Sequence, residues 1–211
     1  MFLKQFIKEP FLQVQCEHIL HELYLRTNQH NRLCIFTDGS AQNTMSTDSK
    51  CSSALIVTVV PQDDADQYVA DLSKREHIKN KQRRKKCKEG FILNPYDYPH
   101  WKISARVDGN NTSTLGELRA LTLAMILTPP DRKCHVFIDS QSAIDIAKSV
   151  ETIQDPSSYL KWKYCIEKGI MYQVKMNLQT FGGCIHIHKL RGHSQETGNN
   201  IADKEADEQG N

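Results

Sequence analysis

The chain has no long hydrophobic run, and this absence excludes one large class of protein. None of its 211 residues falls in a stretch that approaches the roughly 18 consecutive apolar residues of a membrane helix. The N-terminus, MFLKQFIKEP, interrupts its apolar residues with lysines, unlike a secretory signal. With 39% hydrophobic and 25% charged residues, the composition is typical of a globular protein of one domain plus additions, with no membrane partner.

Paired cysteine motifs are also missing. The seven cysteines never form a C-x-x-C pair, and most lie inside apolar runs such as CIF and GGCIHI. A structural zinc cluster needs paired ligands, so the cysteines predict no such site. An odd number of cysteines in apolar surroundings indicates reduced, buried thiols in an intracellular protein, of the nucleus or the cytoplasm.

Positive charge is concentrated in one segment of the chain. The net charge is only +2, yet nine of the 27 lysines and arginines lie in residues 74–88, KREHIKNKQRRKKCK. The rest of the chain holds 18 basic and 24 acidic residues and is therefore mildly acidic. This density of positive charge predicts a surface patch that binds nucleic acid or directs nuclear import. A solvated insertion without a dedicated role is the alternative.

Hydrophobic patterns predict a mixed sheet with helices packed on it. One stripe of a helix over 12–26 contains Leu12, Cys16, Ile19, Leu20 and Leu23. The predicted strands are RLCIFTD, 51–60, 101–107, HVFID and CIHIHK, and the later helices are 114–127, 140–150, most of 156–176 with a break near Gly169, and 201–209. We expect residues 1–28 to be an N-terminal helical extension, 29–211 to be the main domain, and about 61–100 to be an insertion.

Four carboxylates lie at the ends or beginnings of these elements. Asp38 follows CIFT, Glu117 begins an apolar helix, Asp139 ends HVFI, and Asp203 lies in the last helix. An aspartate at the end of an apolar strand is costly unless it is paired or bound to a cation. Converging carboxylates repel one another, and Mg²⁺ or Mn²⁺ suits their oxygen atoms. Two such ions about 4 Å apart can activate water and stabilise the leaving oxygen of a phosphodiester.

Each acid taken alone also has a purely structural explanation. Asp38 can begin a turn, and Glu117 can complete a capping box with Thr114. Asp139 can cap the helix that follows it, and the last acid can be a surface charge. The order and placement of all four acids together favour the functional interpretation.

The segments CIFTDGS, LGELRAL, VFIDSQSA and RGHSQETGNNIADKEAD together resemble the ribonuclease H family. DSQSA and the pattern H-S-x-x-x-G-N-x-x-A-D are most similar to the ribonuclease H domains of non-LTR retroelements, which are attached to reverse transcriptases. The resemblance extends over about residues 32–207. It implies an α/β ribonuclease H-like fold for 29–211, in which a five-stranded mixed sheet has helices on both faces and its first three strands form an antiparallel meander.

The resemblance also implies an activity and a set of site residues. Asp38, Glu117, Asp139 and Asp203 would be the catalytic and metal-binding acids, and His193 would assist proton movement or product release. The cofactor would be two Mg²⁺ ions, with Mn²⁺ as a substitute. The reaction implied is endonucleolytic hydrolysis of the RNA strand of an RNA–DNA hybrid, which leaves a 5′-phosphate and a 3′-hydroxyl.

Recognition of a hybrid needs polar groups near the carboxylates, because only one of its strands carries 2′-hydroxyls. Small or polar residues in the matching loops are predicted to contact the nucleic acid, with ordinary turn chemistry as the alternative: Gly39, Ser40, Asn43, Thr112 and Gln141. Trp162, which lysines flank, can stack on the nucleic acid, although a lone tryptophan in a helix is more often a core residue.

Three functions stay open at this point. The first is an active hybrid ribonuclease, expected to be a monomer and once fused to a reverse transcriptase. The second is a catalytically inactive module that binds nucleic acid and derives from a decayed retroelement; the chain end soon after Asp203 argues for it, and the presence of all four acids argues against it. The third is a strand transferase or integrase of related fold, which the order Asp, Glu, Asp, Asp disfavours.

Histidines alternate in the last predicted strand. His186 and His188 are two residues apart, so they share one face of that strand. They can form a metal pair, but a partly exposed strand face is the favoured interpretation.

Overall fold

The computed structural model describes residues 6–42, 50–77, 90–107, 112–152, 165–192 and 196–210. One sheet contains five strands, β1 (Asn31–Gln42), β2 (Lys50–Pro61), β3 (His100–Arg106), β4 (Lys133–Ile138) and β5 (Cys184–Lys189). Their order is β3-β2-β1-β4-β5. The pairs β1–β2 and β2–β3 are antiparallel, whereas β1–β4 and β4–β5 are parallel. The predicted mixed sheet with an initial meander is confirmed.

Six α-helices in the described part of the chain cover the two faces of this sheet. They are α1 (Pro10–Arg26), α2 (Gln62–His77), α3 (Ser113–Ile126), α4 (Gln141–Ser149), α5 (Cys165–Thr180) and α6 (Thr197–Gly210). Short 3₁₀ turns occur at Pro95–Asp97 and Val150–Thr152. None of the described helices is both long enough and apolar enough to cross a bilayer.

The larger core lies between one face of the sheet and α1, α3, α4 and α5. It is mainly aliphatic, because alternate residues of the central strands, such as Ile35 and Val57, point to this face. The stripe predicted for the first helix is confirmed: Leu12, Cys16, Ile19 and Leu23 are buried in this core, and Leu20 packs against it partly buried. The helix therefore shares the core of the sheet, and the boundary at residue 28 stays a prediction.

The smaller core lies on the opposite face and is aromatic. The rings of Phe36 and Phe137 stack with their centroids 4.8 Å apart, and the ring of Tyr68 meets Phe137 edge-on at 5.0 Å. Tyr68 belongs to α2, so a helix from the predicted insertion covers this face together with α6. Most of the basic run lies in residues 78–89, outside the described residues.

Two helix starts differ from the capping schemes that the sequence offered. The Oγ1 of Thr112, rather than that of Thr114, accepts the N–H of Leu115 at 3.2 Å and caps α3. The Oγ of Ser140, rather than the carboxylate of Asp139, accepts the N–H of Ala143 at 3.2 Å and caps α4. A neutral hydroxyl satisfies the first turn of both helices, so capping explains neither Glu117 nor Asp139.

The expected break near Gly169 is wrong, because α5 continues through this glycine to Thr180. Met171, Val174 and Leu178 bury one stripe of the helix, and this packing outweighs the weak helical propensity of a single glycine. The earlier part of the predicted helix, 156–164, lies outside the described residues.

The cysteines that the structure describes are free thiols, as predicted. Cys16, Cys34, Cys51 and Cys134 are buried, and Cys184 is half-buried. Burial raises the pKa of Cys16 and Cys134 to about 12, so these thiols stay protonated and poorly reactive at neutral pH.

Candidate active site

Three of the four predicted acids meet at one end of the central strands. Asp38 lies in β1, and Asp139 directly follows β4, whose last residue pairs with Thr37 in parallel register. Glu117 reaches the same point from the N-terminal part of α3. One carboxylate oxygen of each residue lies within 4.8 Å of the other two. The cluster therefore joins three elements that are distant in the chain.

Two glycines allow this approach. A Cβ atom on Gly39 would lie 2.1 Å from the backbone nitrogen of Glu117, and a Cβ atom on Gly116 would lie 2.5 Å from the carbonyl oxygen of Ser52. The start of α3 can thus rest directly on β1 and β2 only because both positions lack a side chain. Sequence reasoning missed Gly116, although its place next to Glu117 in LGELRAL is the signal that marks it.

The fourth acid, Asp203, is exposed on α6 and lies outside the group of three. It is near enough to Asp38 to help raise the pKa of that carboxyl group. A glycine is again required here, because a Cβ atom on Gly198 would lie 2.4 Å from the ring of Phe36. The Oγ of Ser52 donates to the carbonyl oxygen of Ala206 at 2.5 Å, which fixes α6 over β2.

Burial and mutual repulsion hold protons on these carboxyl groups. Asp38 is 6% exposed and Glu117 is 5% exposed. Desolvation, followed by the negative charge of Asp139, raises the pKa of Asp38 to about 7. Desolvation, followed by the charges of Asp38 and Asp139, raises the pKa of Glu117 to about 10. The protein alone therefore resists the full ionisation of the cluster.

The cluster fits a divalent cation. Among the described residues no lysine or arginine forms an ion pair with Asp38, Glu117 or Asp139. The Oε2 atom of Glu117 is buried and has no hydrogen-bond partner. Unpartnered buried oxygens are costly, and a set of oxygen donors alone is the set that hard cations such as Mg²⁺ prefer.

A second buried carboxylate links α6 to α2. The Oη of Tyr68 donates to Oε2 of Glu196 at 2.7 Å, and Nη2 of Arg75 lies 3.1 Å from Oε1 of the same residue. Nη1 of Arg75 also donates to the carbonyl oxygen of Phe91 at 3.2 Å. Sequence reasoning missed this network, which fixes the segment that leads into α6. No local pattern connects Tyr68 with a residue 128 positions away.

The residues predicted to contact nucleic acid have mixed positions. Ser40 lies two residues after Asp38, and its Oγ donates to Oδ1 of Asp207 at 2.6 Å. Gly39 allows α3 to pack closely on β1. Thr112 caps α3. Gln141 is exposed at the start of α4, where its Nε2 donates to Oδ1 of Asp145 at 2.8 Å. Three further predicted residues, Asn43, Trp162 and His193, lie outside the described residues. Their contacts with nucleic acid or substrate stay predictions.

A family model described as RNase H matches residues 78–210, which include Glu117, Asp139 and Asp203 and exclude Asp38. No curated protein matches the sequence.

Three solved structures are similar. RNase H1 from the halophilic archaeon Halobacterium salinarum NRC-1 is 14% identical, with a TM-score of 0.44 over 84% of this chain and 98% of that one. The PFV RNase H domain is 19% identical, with a TM-score of 0.49 over 86% and 95%. LC9-RNase H1, a type 1 RNase H with the type 2 active-site motif, is 12% identical, with a TM-score of 0.48 over 84% and 71%.

Proposed function

Because this chain belongs to the RNase H family, we propose that it is a metal-dependent endonuclease that hydrolyses the RNA strand of RNA–DNA hybrids. The observation that carries the proposal is the buried cluster of Asp38, Glu117 and Asp139, in which one Glu117 oxygen has no partner. A fold without such a function would gain stability by replacing these acids, because uncompensated buried carboxyl groups oppose folding.

Asp38, Glu117, Asp139 and Asp203 would hold two divalent ions, Mg²⁺ or Mn²⁺. When bound, such ions activate water and stabilise the charge on the leaving oxygen of a phosphodiester. Asp38 is the central ligand of this proposal, since its carboxyl group contacts Glu117 on one side and Asp203 on the other. Asp203 is the exposed member, and we place the entry of water and of the scissile phosphate on its side.

The remaining site residues act through positioning and proton movement. The protein holds the acids on the sheet and on two helices that glycines bring close to it, which limits their motion at the moment of reaction. His193 would move a proton or assist product release from the segment before α6. Gly39, Ser40, Asn43, Thr112, Gln141 and Trp162 would contact sugar and phosphate. Such contacts carry no base code, so cleavage would be independent of sequence.

We further propose that the domain derives from a non-LTR retroelement, where it was fused to a reverse transcriptase. The motifs DSQSA and H-S-x-x-x-G-N-x-x-A-D support this origin. The basic run at 74–88 would bind the phosphates of nucleic acid in the nucleus or the cytoplasm. We expect the domain to act as a monomer.

The test is cleavage of an RNA–DNA hybrid with labelled RNA in the presence of Mg²⁺. Asp139→Asn keeps the shape of the side chain and removes its charge, so we expect the cleavage rate to fall on the order of a thousandfold. The matched control is Glu17→Gln, which neutralises an exposed acid of α1 and should leave the rate unchanged.

Other outcomes identify the alternatives. Tight hybrid binding by the wild-type protein without any cleavage would make the chain a catalytically inactive binding module. Joining or cutting of DNA strands without action on the hybrid would indicate a strand transferase. Equal cleavage by the wild type and by Asp139→Asn would contradict the proposed site.

A further inference from the structure

Four side chains with metal-binding chemistry line one face of the sheet at its β4–β5 edge. Cys184, His186 and His188 alternate along β5 and therefore point to the same side. His135 of β4 lies directly across from His186 in the parallel register. This face is the aromatic one, and the four residues are separate from the acid cluster, which begins only beyond the end of β4.

The contacts among these four side chains are close. Nδ1 of His135 lies 2.9 Å from Nε2 of His188, and Nε2 of His186 lies 3.2 Å from Sγ of Cys184. The ring of His135 is stacked on that of His186, with centroids 5.4 Å apart and planes 25° apart. Its centroid is 5.1 Å from that of His188. The three imidazoles thus form one contiguous group.

The group has the nitrogen and sulfur donors of a cation site. It lacks the carboxylate partners that histidines have in structural ion pairs. Within the described residues none of the four side chains bonds to a carboxylate, the usual partner of a histidine in a structural ion pair. Desolvation and the neighbouring imidazoles lower the pKa of His135 and His188 to about 4. Both rings are therefore neutral at pH 7, which is the form that ligates a metal.

The spacing of two of these histidines matches that of ligands on a single ion. Two nitrogens that share one tetrahedral Zn²⁺ are about 3.3 Å apart, given Zn–N bonds of about 2.0 Å. The nitrogens of His135 and His188 are 2.9 Å apart, which is close to that value. Among the described residues the acid cluster alone brings three donor atoms within 4.8 Å of one another, so the exposed ring of His186 must rotate to become a third ligand.

We propose that His135, His186 and His188 bind one divalent transition metal of the zinc class. Imidazole suits Zn²⁺, Ni²⁺ and Cu²⁺ and is a poor ligand for Mg²⁺, so this site and the acid cluster would take different ions. His186 turns its Nδ1 toward the other two rings. Its Nε2 lies 3.2 Å from Sγ of Cys184, and an Nε2–H donated to this sulfur would orient the ring as outer partners of metal-bound histidines do. The ion ties the edge strand β5 to β4.

The proposal does not depend on the nuclease function, and its test measures binding rather than cleavage. The full chain, prepared without a polyhistidine tag, is titrated with Zn²⁺ in millimolar Mg²⁺ by calorimetry, and unfolding is followed with and without Zn²⁺. We expect one Zn²⁺ per chain and a higher unfolding midpoint. Asp139→Asn should bind Zn²⁺ as tightly as the wild type does, because the acid cluster is not involved.

The decisive variants remove single imidazoles. His186→Ala and His188→Ala should weaken Zn²⁺ binding at least about tenfold. His186 is exposed on an edge strand, so its variant should fold even if the half-buried His188 proves necessary for packing. The matched control is His18→Ala, an exposed histidine of α1, which should bind Zn²⁺ like the wild type.

Three results would overturn the proposal. The first is failure of the wild type to bind Zn²⁺ in the presence of Mg²⁺, and the second is unchanged Zn²⁺ affinity in His186→Ala. Loss of Zn²⁺ binding in Asp139→Asn with no loss in His186→Ala would assign the ion to the acid cluster instead.

Discussion

Two buried glutamates of this protein have opposite surroundings. Glu196 receives the hydroxyl of Tyr68 and lies beside the guanidinium of Arg75, so the fold itself supplies its counter-charge. Glu117 is equally buried, but its nearest charged groups are two other acids, and one of its oxygens has no partner. The first arrangement stabilises a structure, whereas the second leaves a negative charge that only a bound proton or a cation from solution can neutralise.

This difference separates a structural carboxylate from a functional one without reference to sequence motifs. Both acids lie near α6: Glu196 anchors the segment before it, and Glu117 belongs to the cluster that Asp203 of α6 joins. Neutralising substitutions at the two kinds of position should therefore change stability in opposite directions. The predictions below test that contrast in order of expected size.

The largest effect should come from removing the positive charge of Arg75, which neutralises Glu196 in the structural network. Arg75→Met leaves Glu196 buried without its counter-charge, so we expect the free energy of unfolding to fall by about 3–5 kcal/mol. Tyr68→Phe removes one hydrogen bond to a charged group and should cost about 1.5–3 kcal/mol. Urea unfolding followed by circular dichroism measures both. A loss below about 1 kcal/mol for Arg75→Met would mean that the network does not hold α2 and α6 together.

The second effect should have the opposite sign. In metal-free buffer at pH 8, Glu117→Gln should raise the free energy of unfolding by roughly 1–3 kcal/mol, because an amide is neutral in the fold without taking up a proton and can donate to Asp38 and Asp139. Glu167→Gln is the matched control. It neutralises a buried acid that lies 3.3 Å from Arg119, so it should destabilise the protein. Two changes of the same sign would refute the contrast.

The smallest effect is a pH dependence of stability in the absence of metal. The pKa of Glu117 is raised from its ordinary value to about 10, so at neutral pH the folded state holds a proton that the unfolded chain has released. The free energy of unfolding should therefore fall as the pH rises from about 7 to 8.5, by at most about 1.4 kcal/mol per pH unit for one group. The pKa of His135 and of His188 is lowered to about 4, so these two rings stay neutral in the folded state throughout this window.

Two comparisons isolate the source of this pH slope. Unfolding curves at several pH values should lose the slope in Glu117→Gln, and also in the wild type with saturating Mg²⁺, because the ion replaces the proton. A slope that persists in both samples would place its origin away from the acid cluster.

The sequence alone predicted the sheet, five of the six described helices and the order of the four acids, because each depends on a local pattern. It missed α2, which lies in the predicted insertion. It could not predict the contacts that decide how those pieces meet. The approach of α3 to β1 depends on Gly39 and Gly116, which lie against each other although they are far apart in the sequence. The partner of His186 on β4 depends on the strand register, which no short motif specifies.

Two of the errors of local prediction have a similar cause. Thr114 stands at capping-box spacing from Glu117, but the helix begins at Ser113, and the hydroxyl of Thr112 caps it. Gly169 weakens a helix locally, but buried neighbours on the same stripe outweigh it. In both places tertiary packing selected one of several locally acceptable solutions.

The contact between Gly198 and the ring of Phe36 sets how closely α6 approaches the sheet. Ser52 of β2 donates to the carbonyl oxygen of Ala206 in the same helix, so contacts with two strands fix its position. Asp203 lies between these two anchor points in α6. A side chain added at position 198 would therefore displace this acid without altering its chemistry.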